Sequence, residues 1–349
     1  MDNKFVDLMG SSDVASKHAW TRAMALAETC SGNSGPKLGR FMNTTPAIAD
    51  IIEIIERHGE WREKESNVLL SKEALHLSAL EKRDISNSLR WVRGGELLQY
   101  WGFSYGSVTG ATFAAMQPHR VKRLIVDGIC DANAMYNGLW TTSIFDTDLI
   151  MDKFFEECYE AGPVQCPYYS ENGPASMQAN LDATLQLLNN TPLAVAGSGS
   201  HGPDVITYSD ILRVVKETVY DPLKLFPQLA NLFTNVSKGS GSEFAAYKMK
   251  TKSPVCPFQL SDDTHEIREC PPYSETSLDT LVSISCTDGQ DLSTASQEAF
   301  QSYYNILRQQ SKWMADYWVS WTLSCWGWKT RPSWRYDGSY DILLALFFN

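Results

Sequence analysis

Residues 97–108 read Leu-Leu-Gln-Tyr-Trp-Gly-Phe-Ser-Tyr-Gly-Ser-Val, and this stretch decides the fold. Its apolar and aromatic first half predicts a β-strand, and the small residues that continue from Ser107 predict a helix packed closely on a sheet. Between the two lies a Gly-x-Ser-x-Gly motif centred on Ser104. A serine on a sharp turn between a strand and a helix presents its hydroxyl as a nucleophile. The stretch therefore predicts a nucleophilic serine.

The residues around Ser104 have predicted roles of their own. Gly102 and Gly106 let the backbone turn tightly and approach neighbouring elements without a Cβ clash. The backbone N–H of Tyr105, at the start of the helix, would face an oxyanion that develops on a substrate carbonyl. We therefore expect the nucleophile and one oxyanion donor to be adjacent in sequence.

The sequence after the motif predicts a second strand. Pro118-His119-Arg120 ends the helix, and residues 121–128 are again apolar with the pattern of a strand. Strand, helix and strand in this order form a βαβ unit of a parallel sheet. The predicted fold class is α/β.

Several stretches of the chain carry a resemblance to a known family: residues 23–30, 44–59, 100–106, 114–121, 126–128, 283–289 and 325–328. They resemble the tripeptidyl and prolyl aminopeptidase branch of the α/β-hydrolases. The polar insert at 61–95 is similar to one in filamentous-fungal members.

The resemblance implies a partial α/β-hydrolase sheet with a large, mainly helical lid. Residues 1–130 would form the partial core, residues 131–330 the lid, and residues 331–349 a remnant that leads into a further core segment. It also implies a serine hydrolase in which Ser104 forms an acyl-enzyme on a peptide amide or ester. Such enzymes use no cofactor, and the expected partner is a peptide or a small-molecule ester or amide.

The sequence departs from the family in two places, and both predict a chain truncated at each end. No His-Gly-Gly-Pro loop, which supplies a second oxyanion donor in the family, precedes residue 23, and the family's catalytic Asp and His would follow Asn349. Three residues remain as substitutes for the missing acid and base: Asp127, His201 and His265. Without a histidine base, Ser104 is expected to react slowly.

Two alternatives stay open beside the aminopeptidase-like hydrolase. One is a tailoring hydrolase that cleaves an ester, thioester or lactone in a fungal secondary-metabolite pathway, because the fold does not fix the substrate. The other is a catalytically dead, truncated relative that acts at most as a binding module. A neighbouring synthase gene would favour the first alternative.

Charge and cysteine content limit the partners and the compartment. The 349-residue chain has a net charge of −11, which argues against nucleic acid and anionic membranes as partners. Eight cysteines without a Cys-x-x-Cys motif argue against a metal site. Their spacing predicts two local disulfides, one between Cys158 and Cys166 and one between Cys256 and Cys270.

The targeting features leave localisation open. The N-terminus lacks the apolar stretch of a signal peptide, which predicts a cytoplasmic chain as written. Three Asn-x-Ser/Thr sequons, at Asn43, Asn189 and Asn235, would instead fit a secreted protein whose N-terminus is longer. No apolar stretch has the length of a membrane span.

Overall fold

The computed structural model describes residues 7–32, 39–72, 77–198, 202–251 and 276–338. These residues are mostly helical and carry two small two-stranded sheets. The chain divides into two compact units. The unit that we call the sheet unit comprises residues 28–143, 283–292 and 328–349, and the unit that we call the helical unit comprises residues 1–27, 144–282 and 293–327.

The elements up to residue 136 contain the predicted strand–helix–strand unit. In chain order they are α1 (Asp13–Gly32), α2 (Thr44–Leu70), α3 (Ala79–Ser88), β1 (Leu98–Phe103), α4 (Tyr105–Met116), β2 (Val121–Asp127) and α5 (Ala132–Tyr136). Short 3₁₀ turns lie at Met9–Ser11, Gly39–Phe41 and Pro118–Arg120.

The remaining elements are helices and one β-hairpin. They are α6 (Thr147–Gln165), α7 (Pro174–Asn190), β3 (Leu193–Val195), β4 (Asp204–Ile206), α8 (Tyr208–Tyr220), α9 (Pro222–Ser237), α10 (Ser242–Thr251), α11 (Thr276–Asp288), α12 (Gln297–Gln310), α13 (Ala315–Thr322) and a 3₁₀ turn at Leu323–Gly327. Among the described residues, no helix is long and apolar enough to cross a membrane.

The centre of the sheet unit is the parallel pair of β1 and β2, with Trp101 opposite Ile125 and Phe103 opposite Asp127. The residues that carry this pair therefore have the βαβ order that the sequence predicts. The architecture is compatible with a partial α/β fold that carries a helical insertion.

One face of the sheet is packed and the other is open. Leu98 on β1, Phe113 on α4 and Ile48 on α2 form a buried apolar cluster. On the opposite face Trp101 is 62% exposed and Ile125 is 55% exposed. Because side chains alternate along a strand, only one set of β1 and β2 side chains can join the core. Parallel sheets usually have both faces covered by other elements, so the exposed side chains of β1 and β2 form an unusual apolar patch.

A buried ion pair fixes the segment before β1 to the helices. Arg120 donates to Glu56 at 2.5 Å, and Glu56 also accepts hydrogen bonds from the Trp91 indole at 2.8 Å and from the N–H of Gly94 at 2.9 Å. Burial alone would raise the pKa of Glu56. The hydrogen bonds and the charge of Arg120 outweigh burial, so this pKa lies below its ordinary value of 4.5.

The helical unit has an aromatic core and a disulfide. Phe154 packs edge-on against Phe233 with ring centroids 5.8 Å apart. Cys158 and Cys166 form a disulfide with Cα atoms 5.3 Å apart, which confirms the predicted local pair. The second predicted pair, Cys256 with Cys270, lies outside the described residues.

Two further cysteines, Cys286 and Cys325, are also disulfide-bonded, and the sequence analysis assigned no pair to either of them.

The ion pair generates the first prediction. Glu56→Gln removes the charge that compensates the buried Arg120, and we expect the free energy of unfolding to fall by about 3–5 kcal/mol at neutral pH. A depressed carboxyl pKa stabilises the fold above the unfolded-state pKa, and this stabilisation is lost as the pH falls through the folded-state pKa. The difference between wild type and variant should therefore be largest above pH 4.5, the ordinary value, and shrink below it. Urea unfolding between pH 3 and pH 8 measures it.

The matched control is Glu53→Gln, which breaks an exposed pair with Arg57 on the same helix. This variant should lose less than about 1 kcal/mol. Equal losses for the two variants at every pH would contradict the assignment of a stabilising role to the buried pair.

Candidate active site

Ser104 occupies a strained turn between β1 and α4. Its backbone has φ 53° and ψ −122°, and it is one of two non-glycine residues with positive φ among those that the structure describes. Such a conformation costs about 1–3 kcal/mol and persists only where the surroundings enforce it. The Ser104 N–H donates to the carbonyl of Asp127 at 3.1 Å, so the parallel ladder holds the turn from β2.

The next turn of the chain holds Ser104 from the other side. Ser107 donates to the Ser104 carbonyl through its N–H at 2.8 Å and through its hydroxyl at 2.6 Å. The same hydroxyl accepts from the N–H of Cys130 at 2.9 Å. The carbonyl and the N–H of Ser104 are thus both engaged.

The two motif glycines permit a close approach of backbone segments. A Cβ on Gly102 would lie 2.5 Å from the carbonyl oxygen of Gly106, closer than real Cβ atoms come. The Tyr100 hydroxyl donates to that same carbonyl at 2.7 Å, and a Cβ on Gly106 would lie 3.2 Å from this hydroxyl. A side chain at Gly102 would force β1 away from the start of α4 and change the turn at Ser104.

The backbone N–H of Tyr105 lies in the first turn of α4. N–H groups in this turn have no helical carbonyl to receive them, and the helix dipole adds a partial positive charge there. A negative oxygen next to Ser104 would be stabilised by both effects. This arrangement suits the predicted oxyanion donor.

The side chain of Tyr105 points to a polar cluster that the sequence analysis did not find. Its hydroxyl lies 2.6 Å from the Thr44 hydroxyl, which donates to the Asp288 carboxylate at 2.6 Å. Burial and the nearby charge of Asp288 raise the pKa of Tyr105 above its ordinary value of 10. The phenol therefore stays protonated at neutral pH and does not act as a base.

The residues predicted to act as acid or base have different positions. Asp127 is the last residue of β2, its carbonyl receives the Ser104 N–H, and its side chain is exposed. His119 lies beyond Met116, the last residue of α4, which is about 18 Å from Ser104 along the helix axis. His58 lies about 21 Å along α2 from Thr44, the residue of α2 that contacts Tyr105 next to Ser104. His201 and His265 lie outside the described residues.

The described residues also contain no group of three or more His, Cys, Asp and Glu side chains that could hold a metal ion.

A serine on a strained strand–helix turn, directly before the N-terminus of a helix, defines a candidate hydrolase site. No protein-family model matches the chain. Over 222 residues the chain is 21% identical to serine protease Hip1 of Mycobacterium tuberculosis (strain ATCC 25618 / H37Rv) and of Mycobacterium bovis (strain ATCC BAA-935 / AF2122/97). The match covers 61% of this chain and 38% of each relative, so the chain spans well under half the length of these curated relatives. This distant similarity supports a serine hydrolase or peptidase.

The strain at Ser104 generates a prediction about stability. Glycine adopts positive φ without the Cβ penalty, whereas alanine keeps it. Replacing Ser104 by glycine relieves a strain of about 1–3 kcal/mol, which alanine retains. Glycine also loses about 0.5–1 kcal/mol through the greater entropy of its unfolded chain. We therefore expect Ser104→Gly to be more stable than Ser104→Ala by about 1 kcal/mol. Urea unfolding of the two purified variants measures the difference.

Ser88, at the end of α3, provides the control. Glycine there should be less stable than alanine, because helix propensity decides at a position with ordinary backbone angles. If the order at Ser104 is the same as at Ser88, the turn is not strained as described.

Proposed function

We propose that this chain is a serine hydrolase that transfers an acyl group from a peptide amide or ester to Ser104 and then to water. The observation that carries the proposal is the backbone of Ser104, with φ 53° at the junction of β1 and α4. A residue that only turns the chain has no need of a strained non-glycine conformation beside a helix N-terminus. The similarity to a serine protease supports the same reaction class.

The proposed reaction runs in two balanced steps. The Ser104 hydroxyl oxygen forms a bond to the substrate carbonyl carbon, its proton passes to a base, and the carbonyl electron pair moves onto oxygen. The backbone N–H of Tyr105 donates to this oxyanion. Collapse breaks the bond to the amine or alcohol, which leaves with the proton, and water then cleaves the acyl-enzyme by the same route.

The proposed substrate class is the N-terminal part of a peptide. The resemblance to tripeptidyl and prolyl aminopeptidases and the name of the mycobacterial relative both favour a peptide amide. The tailoring hydrolase and the dead relative are the alternatives. A tailoring hydrolase would cleave small esters or thioesters in preference to peptide amides, and a dead relative would cleave neither.

The proposal predicts that a fluorophosphonate probe labels Ser104. Labelling should be slow, because no histidine of the described residues in the sheet unit lies within reach of the hydroxyl and an unassisted serine is a weak nucleophile. Imidazole added to the buffer should accelerate the labelling of the wild type, since it supplies a general base. Intact-mass spectrometry over time, followed by peptide mapping of the adduct, measures the rate and the site.

Two variants make this experiment decisive. Ser104→Ala should lose the adduct with and without imidazole, and Ser88→Ala, which removes an exposed hydroxyl on α3, should label like the wild type. Labelling that survives Ser104→Ala would overturn the proposed nucleophile, and so would a wild type that never forms the adduct. If labelling is instead fast without imidazole, His201→Ala and His265→Ala identify which histidine acts as the base.

A further inference from the structure

A chain of buried hydrogen bonds joins the Tyr105 side chain to a carboxylate from a distant part of the sequence. The Asp288 side chain accepts the Thr44 N–H at 2.9 Å and the Thr44 hydroxyl at 2.6 Å. A carboxylate has no proton to give, so Thr44 must donate its only hydroxyl proton to Asp288. The Tyr105 phenol must then be the donor in its 2.6 Å contact with Thr44. The direction of the whole chain is therefore fixed by Asp288.

Asp288, the acceptor end of this chain, and Thr44, its middle member, are each held by further hydrogen bonds. Asp288 is fully buried at the end of α11, and its carbonyl accepts a hydrogen bond from Arg335 at 2.6 Å. The same guanidinium donates to the carbonyl of Tyr136 at 2.7 Å. At the start of α2, Asn43 makes no side-chain capping bond, and Asp288 accepts the N–H of Thr44, one of the first-turn N–H groups that have no helical acceptor. Thr44 is thus fixed through its backbone as well as its side chain.

Burying a carboxylate costs free energy of desolvation, and the hydrogen bonds to Asp288 offset only part of this cost. Burial raises the pKa of Asp288, although the hydrogen bonds from Thr44 act in the opposite direction. A carboxylate that only bonded the first N–H groups of α2 could lie at the surface, where it would lose little of its hydration. What the buried position adds is a fixed acceptor beneath the residue that follows Ser104.

We propose that Asp288 is a positioning residue, which acts through Thr44 to hold Tyr105 so that its peptide N–H is aimed at the oxyanion formed at Ser104. The inference rests on the proposed function, since the oxyanion belongs to that reaction. Tyr105 carries the donor N–H on its backbone and the anchored phenol on its side chain. Fixing the phenol fixes the Cα of the first residue of α4 and limits rotation of the peptide that joins it to Ser104.

The test uses a pair of matched substitutions on buried threonines. Thr44→Val removes the hydroxyl that relays Asp288 to Tyr105 and keeps the shape of the side chain. Thr287→Val removes an equally buried hydroxyl on the same helix as Asp288, one that accepts a 3.2 Å bond from the Trp328 indole and is not a member of the Tyr105–Thr44–Asp288 chain. Thr44→Ser restores the hydroxyl, and Tyr105→Phe breaks the other end of the chain.

Two readouts are needed. The first is amide hydrogen exchange at Ser107, whose N–H is bonded to the Ser104 carbonyl at 2.8 Å and therefore reports the rigidity of this turn without any reaction. The second is the rate of fluorophosphonate labelling at Ser104 in the presence of imidazole. Thermal unfolding of each variant shows whether the folds are equally stable.

We expect Thr44→Val and Tyr105→Phe to speed exchange at Ser107 by about tenfold and to slow labelling by about 10- to 100-fold, as misplacement of a reacting group does. The double variant should be no worse than either single variant, because both break one chain. Thr44→Ser should restore both readouts, and Thr287→Val should leave both within about twofold of the wild type at a similar loss of melting temperature.

The possible failures are distinguishable. Equal exchange and labelling in Thr44→Val and Thr287→Val would overturn the positioning role and leave the nucleophile intact. If the wild type never labels at Ser104, the proposed reaction fails, and the exchange data alone decide whether Asp288 fixes the Tyr105 peptide. Thr44→Val and Tyr105→Phe leave Asp288 unchanged, so the test does not depend on whether a variant without the buried carboxylate folds.

Discussion

The structure of the site depends on one constraint, the positive φ of Ser104. A strand that ended in an ordinary conformation would carry the chain past the sheet edge, whereas φ 53° turns it back into α4. This conformation is unfavourable by itself, so the surroundings must hold it. They do so through the hydrogen bond from Ser104 to Asp127, which belongs to the parallel ladder, and through Ser107 in the next turn. The strand pairing therefore sets the direction of the serine.

A second constraint follows from two buried polar contacts at opposite ends of α2. Near its start Thr44 contacts Tyr105, the first residue of α4, and about 18 Å further along Glu56 binds Arg120, just beyond the end of α4. The two helices therefore run side by side in the same direction, and Ile48 and Phe113 fill the space between them. Polar contacts fix the register of the two helices, and burial of the apolar side chains between them stabilises their packing.

The sequence predicts the local part of this arrangement and misses the distant part. The Gly-x-Ser-x-Gly motif and its flanking patterns predict β1, the turn and α4, because strand, turn and helix preferences act over a few residues. The close spacing of Cys158 and Cys166 likewise predicts their disulfide. Asp288 lies 244 residues from Thr44, and nothing in the local pattern of either residue indicates the partner. A buried aspartate and a buried threonine have no periodicity that a single sequence can reveal.

The most direct test of the account is a crystal structure of the chain after reaction with a phosphonate probe. The phosphorus should be bonded to the hydroxyl oxygen of Ser104, whose φ should remain near +53°. One phosphonyl oxygen should lie about 2.7–3.1 Å from the backbone nitrogen of Tyr105, the distance expected for an oxyanion donor. A Ser104 with a negative φ inside a regular helix, or a phosphonyl oxygen turned away from Tyr105, would contradict the account.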